Sequence, residues 1–377
     1  MLRNAYAMNK SLHLSSLNMQ QFFVKFRMDN ITLPSRTPWG GHRISKVLKA
    51  HLGLNNMHRV IGESWEFSTD SLLPSREEGT NLTLQSILDA SPDHWLSRDH
   101  LRYWGTQTPL LVKLIDAALD LSLQLHPPLY AASHEPGTSG KWEAWYVVSA
   151  SPHAGIYIGL ERGVELADFE MALRTHINLK PFLNFYEVTP GEMYVIPPGT
   201  IHALGAGVCV IEPQVMQPGK HGLTFRIHDW NRRYDAEGNL CDEGTRRPTH
   251  VEQALQWIDP HLNEHDTIEA SLRLKPHVCY AQNQIECITL TEKPFLHATI
   301  VRGTGQCHLK LPHELTSICV VHGETQFCIE NNHYTLLGGE SGAFAAALSD
   351  ITLDCKNAEI FITHGCPCDL SLPHVGF

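Results

Sequence analysis

Apolar and polar residues alternate over short runs through most of the chain, and Gly, Pro or Asn interrupts nearly every run. "PLLVKLIDA", "LSLQLH", "EAWYVVSA", "AGIYIGL", "EMYVI", "VCVIE" and "LTFRI" follow one another with turn residues between them. After residue 275 the series resumes through "ATIV", "TSICVV", "TQFCIE", "GAFAA", "ITLDC" and "AEIFITH". Alternation with period two, bounded by turn residues, predicts strands. Recurrence at three and four residues predicts helices only over 82–90, 92–96, 165–175 and 251–258. Many short strands with little helix predict β-sandwiches or barrels, here two of them. The polar run "NRRYDAEGNLCDEGTRRP" from Asn231 to Pro248 reads as a long surface connection between the two.

Composition narrows the possible partners. With Lys+Arg 29 against Asp+Glu 40, the formal charge of the 377 residues is -11. Nucleic acid and anionic membrane surfaces are therefore not expected as partners, and an anionic substrate would need a locally positive pocket. No run of eighteen apolar residues and no secretory signal pattern occurs, so a cytoplasmic location is expected. The first 28 residues lack acids and carry Arg3, Lys10, Lys25 and Arg27, which reads as a loose arm or an upstream start with a weak likeness to a transit peptide. All ten cysteines lie at or after Cys209, and Cys366-Pro-Cys368, with one intervening residue, is a poor redox or zinc motif. The expectation is free thiols acting as small apolar side chains.

Candidate chemistry begins at "LSLQLHP". In a strand, Ser122, Gln124 and His126 share one face and Leu121, Leu123 and Leu125 the other. "GKWEAWYVV" places Lys141 and Glu143 together in the same way. In "PGEMYVIPPGTIHALGAG" the prolines stiffen the chain, Gly199 turns it, and the next strand carries His202. The spacing Gly191, Pro197, Gly199, His202 resembles the second half of the two-part cupin pattern, whose histidine ligates a metal. Taken singly, these groups would equally suit a packed turn histidine and two surface polar residues. Taken together, Gln124, His126, Glu143 and His202 form a mixed N/O set suited to Zn²⁺, with Mn²⁺, Fe²⁺, Co²⁺ or Ni²⁺ as alternatives. Such a set, without thiolates and with open positions, belongs to catalytic rather than structural sites.

The same segments, with "VIEPQ", "TFRIHDWNR", "WGG" at Trp39–Gly41 and "GESWEFS" at Gly62–Ser68, resemble type I mannose-6-phosphate isomerases of the cupin superfamily over about Thr37 to Arg233. The resemblance implies an all-β protein with a few helices, built as two cupin-type (jelly-roll) β-barrel lobes. It implies a zinc-dependent aldose–ketose isomerase interconverting mannose 6-phosphate and fructose 6-phosphate through a cis-enediolate, with one Zn²⁺ per chain. Carried over by position, the metal ligands fall on Gln124, His126, Glu143 and His202. The catalytic groups fall on Lys141, Arg226 and Glu212, and substrate contacts on Ser122, Lys141, Arg226 and Arg232, with Arg233 also at the rim. Glu212 stands as either general base or a carboxylate orienting His202 or Lys141. Trp39, Trp65 and Glu66 are expected to close one edge of the barrel, and the loop "PPLYAASHEPGTS" is shorter than in larger relatives. The expected division is 1–28 as an extension open to disorder, 29–230 as the catalytic domain, 231–250 as a linker, and 251–377 as a C-terminal helix and degenerate cupin-like domain. A monomer or weak homodimer is expected. The rival functions are a non-catalytic sugar-phosphate sensor and another metal-dependent cupin enzyme such as an oxygenase.

Overall fold

Strand-forming runs become sheets wherever both faces find apolar cover. The computed structural model describes residues 21–52, 60–130, 135–175, 177–282, 284–293 and 295–368. In the N-terminal lobe, one five-stranded antiparallel sheet runs in the order Glu63–Phe67, Leu110–Asp116, Val208–Met216, Lys141–Ala150, Met193–Ile196. A second runs Phe225–His228, Leu123–Leu125, His202–Leu204, Gly155–Leu160, Leu183–Glu187. The two meet face to face through Ile115, Trp145, Val147, Val208 and Val210 of the first and Ile156, Ile158 and Leu204 of the second. This is the jelly-roll, formed as a sandwich: no sheet among the described residues closes into a hydrogen-bonded barrel.

Alternation along the strands sorts side chains cleanly. Leu110, Val112, Leu114, Ala144, Tyr146, Ile211 and Val215 point away from the sandwich into a core shared with the C-terminal lobe, which contributes Leu290, Phe295, Ile300, Leu315, Cys319, Val321 and Phe361. The outer face of the second sheet, with Leu123, Leu125, Ala203, Phe225 and Ile227, is covered by helix Leu166–Arg174 through Phe169, Ala172 and Leu173 and by helix Val251–Leu255 through Ala254. Of the predicted helices, Leu84–Ala90, Pro92–Trp95, Leu166–Arg174 and Val251–Leu255 form; Arg98–Trp104 is a helix that periodicity did not mark. No helix among the described residues is long and apolar enough to cross a membrane.

The C-terminal lobe is an eight-stranded antiparallel sheet wrapped around its own core of Cys287, Val301, Ile318, Phe327, Leu336, Phe344 and Leu353. The runs "ITLDC" and "AEIFITH" are one strand, Asp350–Gly365, bent where Asn357 takes a positive φ of 46° and the pairing slips between Gly303 and Gly305. Two expected boundaries move. Residues 1–20 of the expected extension lie outside the described residues, but Phe23–Lys25 pairs with Ser341–Phe344, and Phe23 is buried in the C-terminal core. The helix at 251, expected to open the second lobe, packs on the N-terminal lobe instead, and Ile268 and Leu272 plug the core of its sandwich. Apolar residues on these short segments find cover on the nearer sheet, so the C-terminal lobe begins with strand His277–Gln282.

Candidate active site

The interior of the N-terminal sandwich is divided along its strands. Val147, Val208, Val210 and Ile115 make one end dry, whereas two or more residues further along the same faces stand Glu143, Lys141, Glu212, Gln214 and Lys113. At this polar end opens a cavity of about 220 Å³, lined among others by Trp39, Trp65, Ser122, Gln124, Lys141 and Glu143. A larger cleft of about 340 Å³ lies at Leu160–Leu166 and residues 258–266 and is lined by none of Gln124, His126, Glu143 and His202.

Two elements deliver the histidines. His202 pairs directly with Gln124, and Gln124 with Arg226 on its other side, so these three project from adjacent strands onto one face. The Pro197–Gly199 turn is locked in place: Gly199 (φ 88°) donates its N–H to the His126 carbonyl at 2.8 Å. The buried Asn263 side chain donates to Gly199 O and accepts from Ile201 N, each at 2.8 Å. Gly140 admits Lys141 and Glu143, since a Cβ there would lie 1.9 Å from Pro127 O.

His126, Glu143 and His202 place one ligand atom each within 4.8 Å of one another, all three side chains buried. His126 Nδ1 faces Leu223 O at 3.2 Å and His202 Nδ1 faces Thr200 O at 2.8 Å. A carbonyl can only accept, so each ring carries its proton on Nδ1 and turns a bare Nε2 inward. Both Nε2 atoms aim at Glu143 Oε2, at 3.1 and 3.6 Å, and neither has a hydrogen bond. Burial pushes the His126 imidazolium down to about 3 and lowers His202, so both rings are neutral near pH 7. Three buried lone-pair atoms facing one another repel unless a cation sits among them. This donor set fits a divalent ion of the zinc class, and Gln124, whose amide N–H donates to Ser122 Oγ at 3.1 Å, keeps its amide oxygen free as a fourth ligand.

A second layer surrounds Glu143. Lys141 Nζ lies 2.5 Å from its Oε1 and Gln214 Nε2 donates to the same oxygen at 2.6 Å. Burial would raise the Glu143 carboxyl, but His126, Lys141 and His202 hold it well below the usual range. Gln214 Nε2 also reaches Glu212 Oε2 at 2.5 Å, and Trp145 Nε1 donates to Glu212 Oε1 at 2.9 Å. Burial first, and the charge of Glu143 second, push Glu212 up to about 8. Lys113, 3.7 Å from Glu212 and 3.8 Å from Glu63, sits over the Trp65 ring.

Ser122, Gln124, Lys141, Glu143, Glu212 and Arg226 all line the cavity, with His126 and His202 directly beneath. Glu212 takes its hydrogen bonds from Trp145 and Gln214 rather than from His202 or Lys141. Arg232 is elsewhere: its guanidinium is bound to Asp229 at 2.6 Å and does not line the cavity. Arg233 donates to Gly244 O, and His228 Nδ1 accepts from Trp230 N. The place expected for Arg232 is held by Arg247, which grips Asp229 with two 2.7 Å bonds and faces the cavity beside Arg226. Residues 231–250 are thus more than a surface connection; Tyr234 bridges to Leu240 and Thr245, folding the segment back on itself. Trp39 and Trp65 are cavity walls, whereas Glu66 points the other way, paired at 2.6 Å with buried Lys49 and bound by Ser341 at the seam between lobes. Lys113, Arg36, Gln214 and Arg247 escaped sequence reading; only "LVKLI", a lysine in an otherwise apolar run, carried a signal.

No family model matches the chain. Mannose-6-phosphate isomerase ManA of Bacillus subtilis is 26% identical over 343 residues, covering 86% of this chain and 95% of that protein. Mannose-6-phosphate isomerase of Streptococcus mutans is 27% identical over 340 residues, covering 88% and 95%. The chain is a homologue of mannose-6-phosphate isomerases. Their fold is shared as well: a solved mannose 6-phosphate isomerase from Bacillus subtilis superposes with TM-score 0.70 at 21% identity, covering 91% of this chain and all of that one. A mannose 6-phosphate isomerase solved with zinc and yttrium superposes with TM-score 0.66 at 14% identity, covering 91% and 99%.

Proposed function

We propose that the chain interconverts mannose 6-phosphate and fructose 6-phosphate, with one Zn²⁺ held by Gln124, His126, Glu143 and His202. The observation that carries the reading is the pair of bare imidazole nitrogens converging on one carboxylate oxygen at the floor of a cavity with cationic walls. A divalent ion supplies positive charge and Lewis acidity at the polar end of the cavity.

The side chains supply the rest. Moving a hydrogen between C1 and C2 of a sugar needs a group that takes and returns a proton, and charge that stabilises the two enediolate oxygens. Glu212 is placed for the first task. Its carboxyl sits at the cavity wall, oriented by Trp145 and Gln214, where its ionised form can take a proton from the sugar and return it. Lys141, paired with Glu143 at 2.5 Å, supplies positive charge over the reacting end. The phosphate is assigned to the side of the cavity where Arg226 and Arg247 stand together near Ser122 and Thr224; Arg226 Nε is buried without a partner there. Trp39 and Trp65 wall off water from the sugar.

The test is a coupled assay following fructose 6-phosphate formation from mannose 6-phosphate with metal-stripped and zinc-restored protein. Turnover that disappears on stripping and returns with zinc supports the reading. No turnover after restoration removes it and leaves the sensor alternative.

A further inference from the structure

A second group of metal-ligating side chains lies in the other lobe, and the isomerase reading makes no use of it. His297, His364 and Cys366 each bring one ligand atom to within 4.8 Å of the others. Strand geometry produces the cluster. His297 and His364 are opposed residues of the antiparallel strands Leu296–Lys310 and Asp350–Gly365, so their rings share a face, with centroids 5.0 Å apart. Cys366 follows His364 by two positions and continues that face. The Cys366 N–H reaches Phe295 O, which draws the end of one strand against the start of the other. His364 Nδ1 is 3.1 Å from Gly365 O, so its proton is held there and Nε2 is left as the ligand atom. Cys368, two residues further on, packs at the same seam against the core between lobes.

Cys366-Pro-Cys368 is a weak motif by itself, and what changes its meaning is the pair of imidazoles that pairing brings beside it. Two imidazoles and a thiolate are a soft-to-borderline donor set that favours zinc(II) over hard ions. We propose that His297, His364 and Cys366 bind a second zinc ion, which fastens the chain after Gly365 to the sheet. All three clustered residues are half-buried, so the ion can enter from solvent. The proposal stands independently of the isomerase reading, since the first site contains no sulfur and this one does.

Cobalt(II) added to metal-stripped, reduced full-length protein reads the difference directly. Thiolate ligation gives a near-ultraviolet charge-transfer band that imidazole, amide and carboxylate ligands cannot give. The band is expected in the unaltered chain and in the His126→Ala/His202→Ala variant. It is expected to vanish in Cys366→Ser, whose zinc content falls by about one equivalent while turnover of mannose 6-phosphate is unchanged. A band that is absent from the unaltered chain, or zinc content that is the same with and without the cysteine, overturns the proposal. Should the serine variant fail to fold, labelling of the unaltered protein decides. Zinc is expected to slow maleimide attack on Cys366 by at least about tenfold, and equal rates refute the site.

Discussion

Filling the site with zinc should expel a proton from a residue that does not ligate it. His126 is pushed down to about 3 by burial and His202 is lowered, while Glu143 is held ionised by its neighbours, so near pH 7 the ligands have no proton to lose. Glu212, raised to about 8 by burial and by the Glu143 charge, carries a proton in roughly nine chains of ten at pH 7. A dication at Glu143 cancels the charge that helps to hold that proton, and the Glu212 carboxyl falls toward its ordinary range. Zinc uptake at pH 7 should therefore release about 0.9 proton from Glu212. Because the zinc-bound form holds the proton less tightly, affinity must rise with pH up to about 8 and flatten above it. Calorimetric titration of zinc in buffers of different ionisation enthalpy measures the release. Comparison with Glu212→Gln subtracts protons lost from bound water or from the C-terminal thiols. If the variant releases as many protons as the unaltered chain, the coupling between Glu212 and the ion is refuted.

The remaining predictions concern single contacts. Arg226→Ala should keep normal zinc content while kcat/KM for mannose 6-phosphate falls by about 10²–10⁴-fold; loss of zinc would make Arg226 structural. Asn263→Ala removes the bonds that pin the turn before His202, so zinc affinity measured by competition with a chelator should weaken by about 10–100-fold, whereas unchanged affinity would show the turn to be held by other groups. Lys113→Met deletes a cation 3.7 Å from Glu212; the basic form of Glu212 is then less favoured, and the rising limb of the pH–rate profile should move to higher pH, with a shift to lower pH contradicting the assignment.

The sequence displayed the strand faces of this protein well because alternation is local. Ser122, Gln124 and His126 do share a face, as do Lys141 and Glu143, and the Pro-Pro-Gly turn does deliver His202 to the same floor. What stayed hidden depends on contacts between distant segments. Arg247 enters the cavity because residues 231–250 fold back to bring it onto Asp229, and nothing in their polar composition distinguishes it from Arg232. Asn263 lies in a segment that reads as the start of another lobe, yet its amide clamps the histidine turn. Lys113 sits in a strand whose apolar neighbours made it look incidental, and its partners Glu63 and Glu212 come from the strands on either side. The Phe23–Lys25 strand was missed for the opposite reason: three residues are too few to show a period, and their partner strand is at the far end of the chain.

The account stands or falls on one ion between His126, Glu143 and His202. Diffraction from zinc-loaded crystals at wavelengths on either side of the zinc absorption edge locates that ion without reference to activity. The expected result is an anomalous peak about 2.0–2.2 Å from both Nε2 atoms and a Glu143 oxygen. A zinc-loaded crystal with no peak there, or with the two rings turned away from each other, would contradict it.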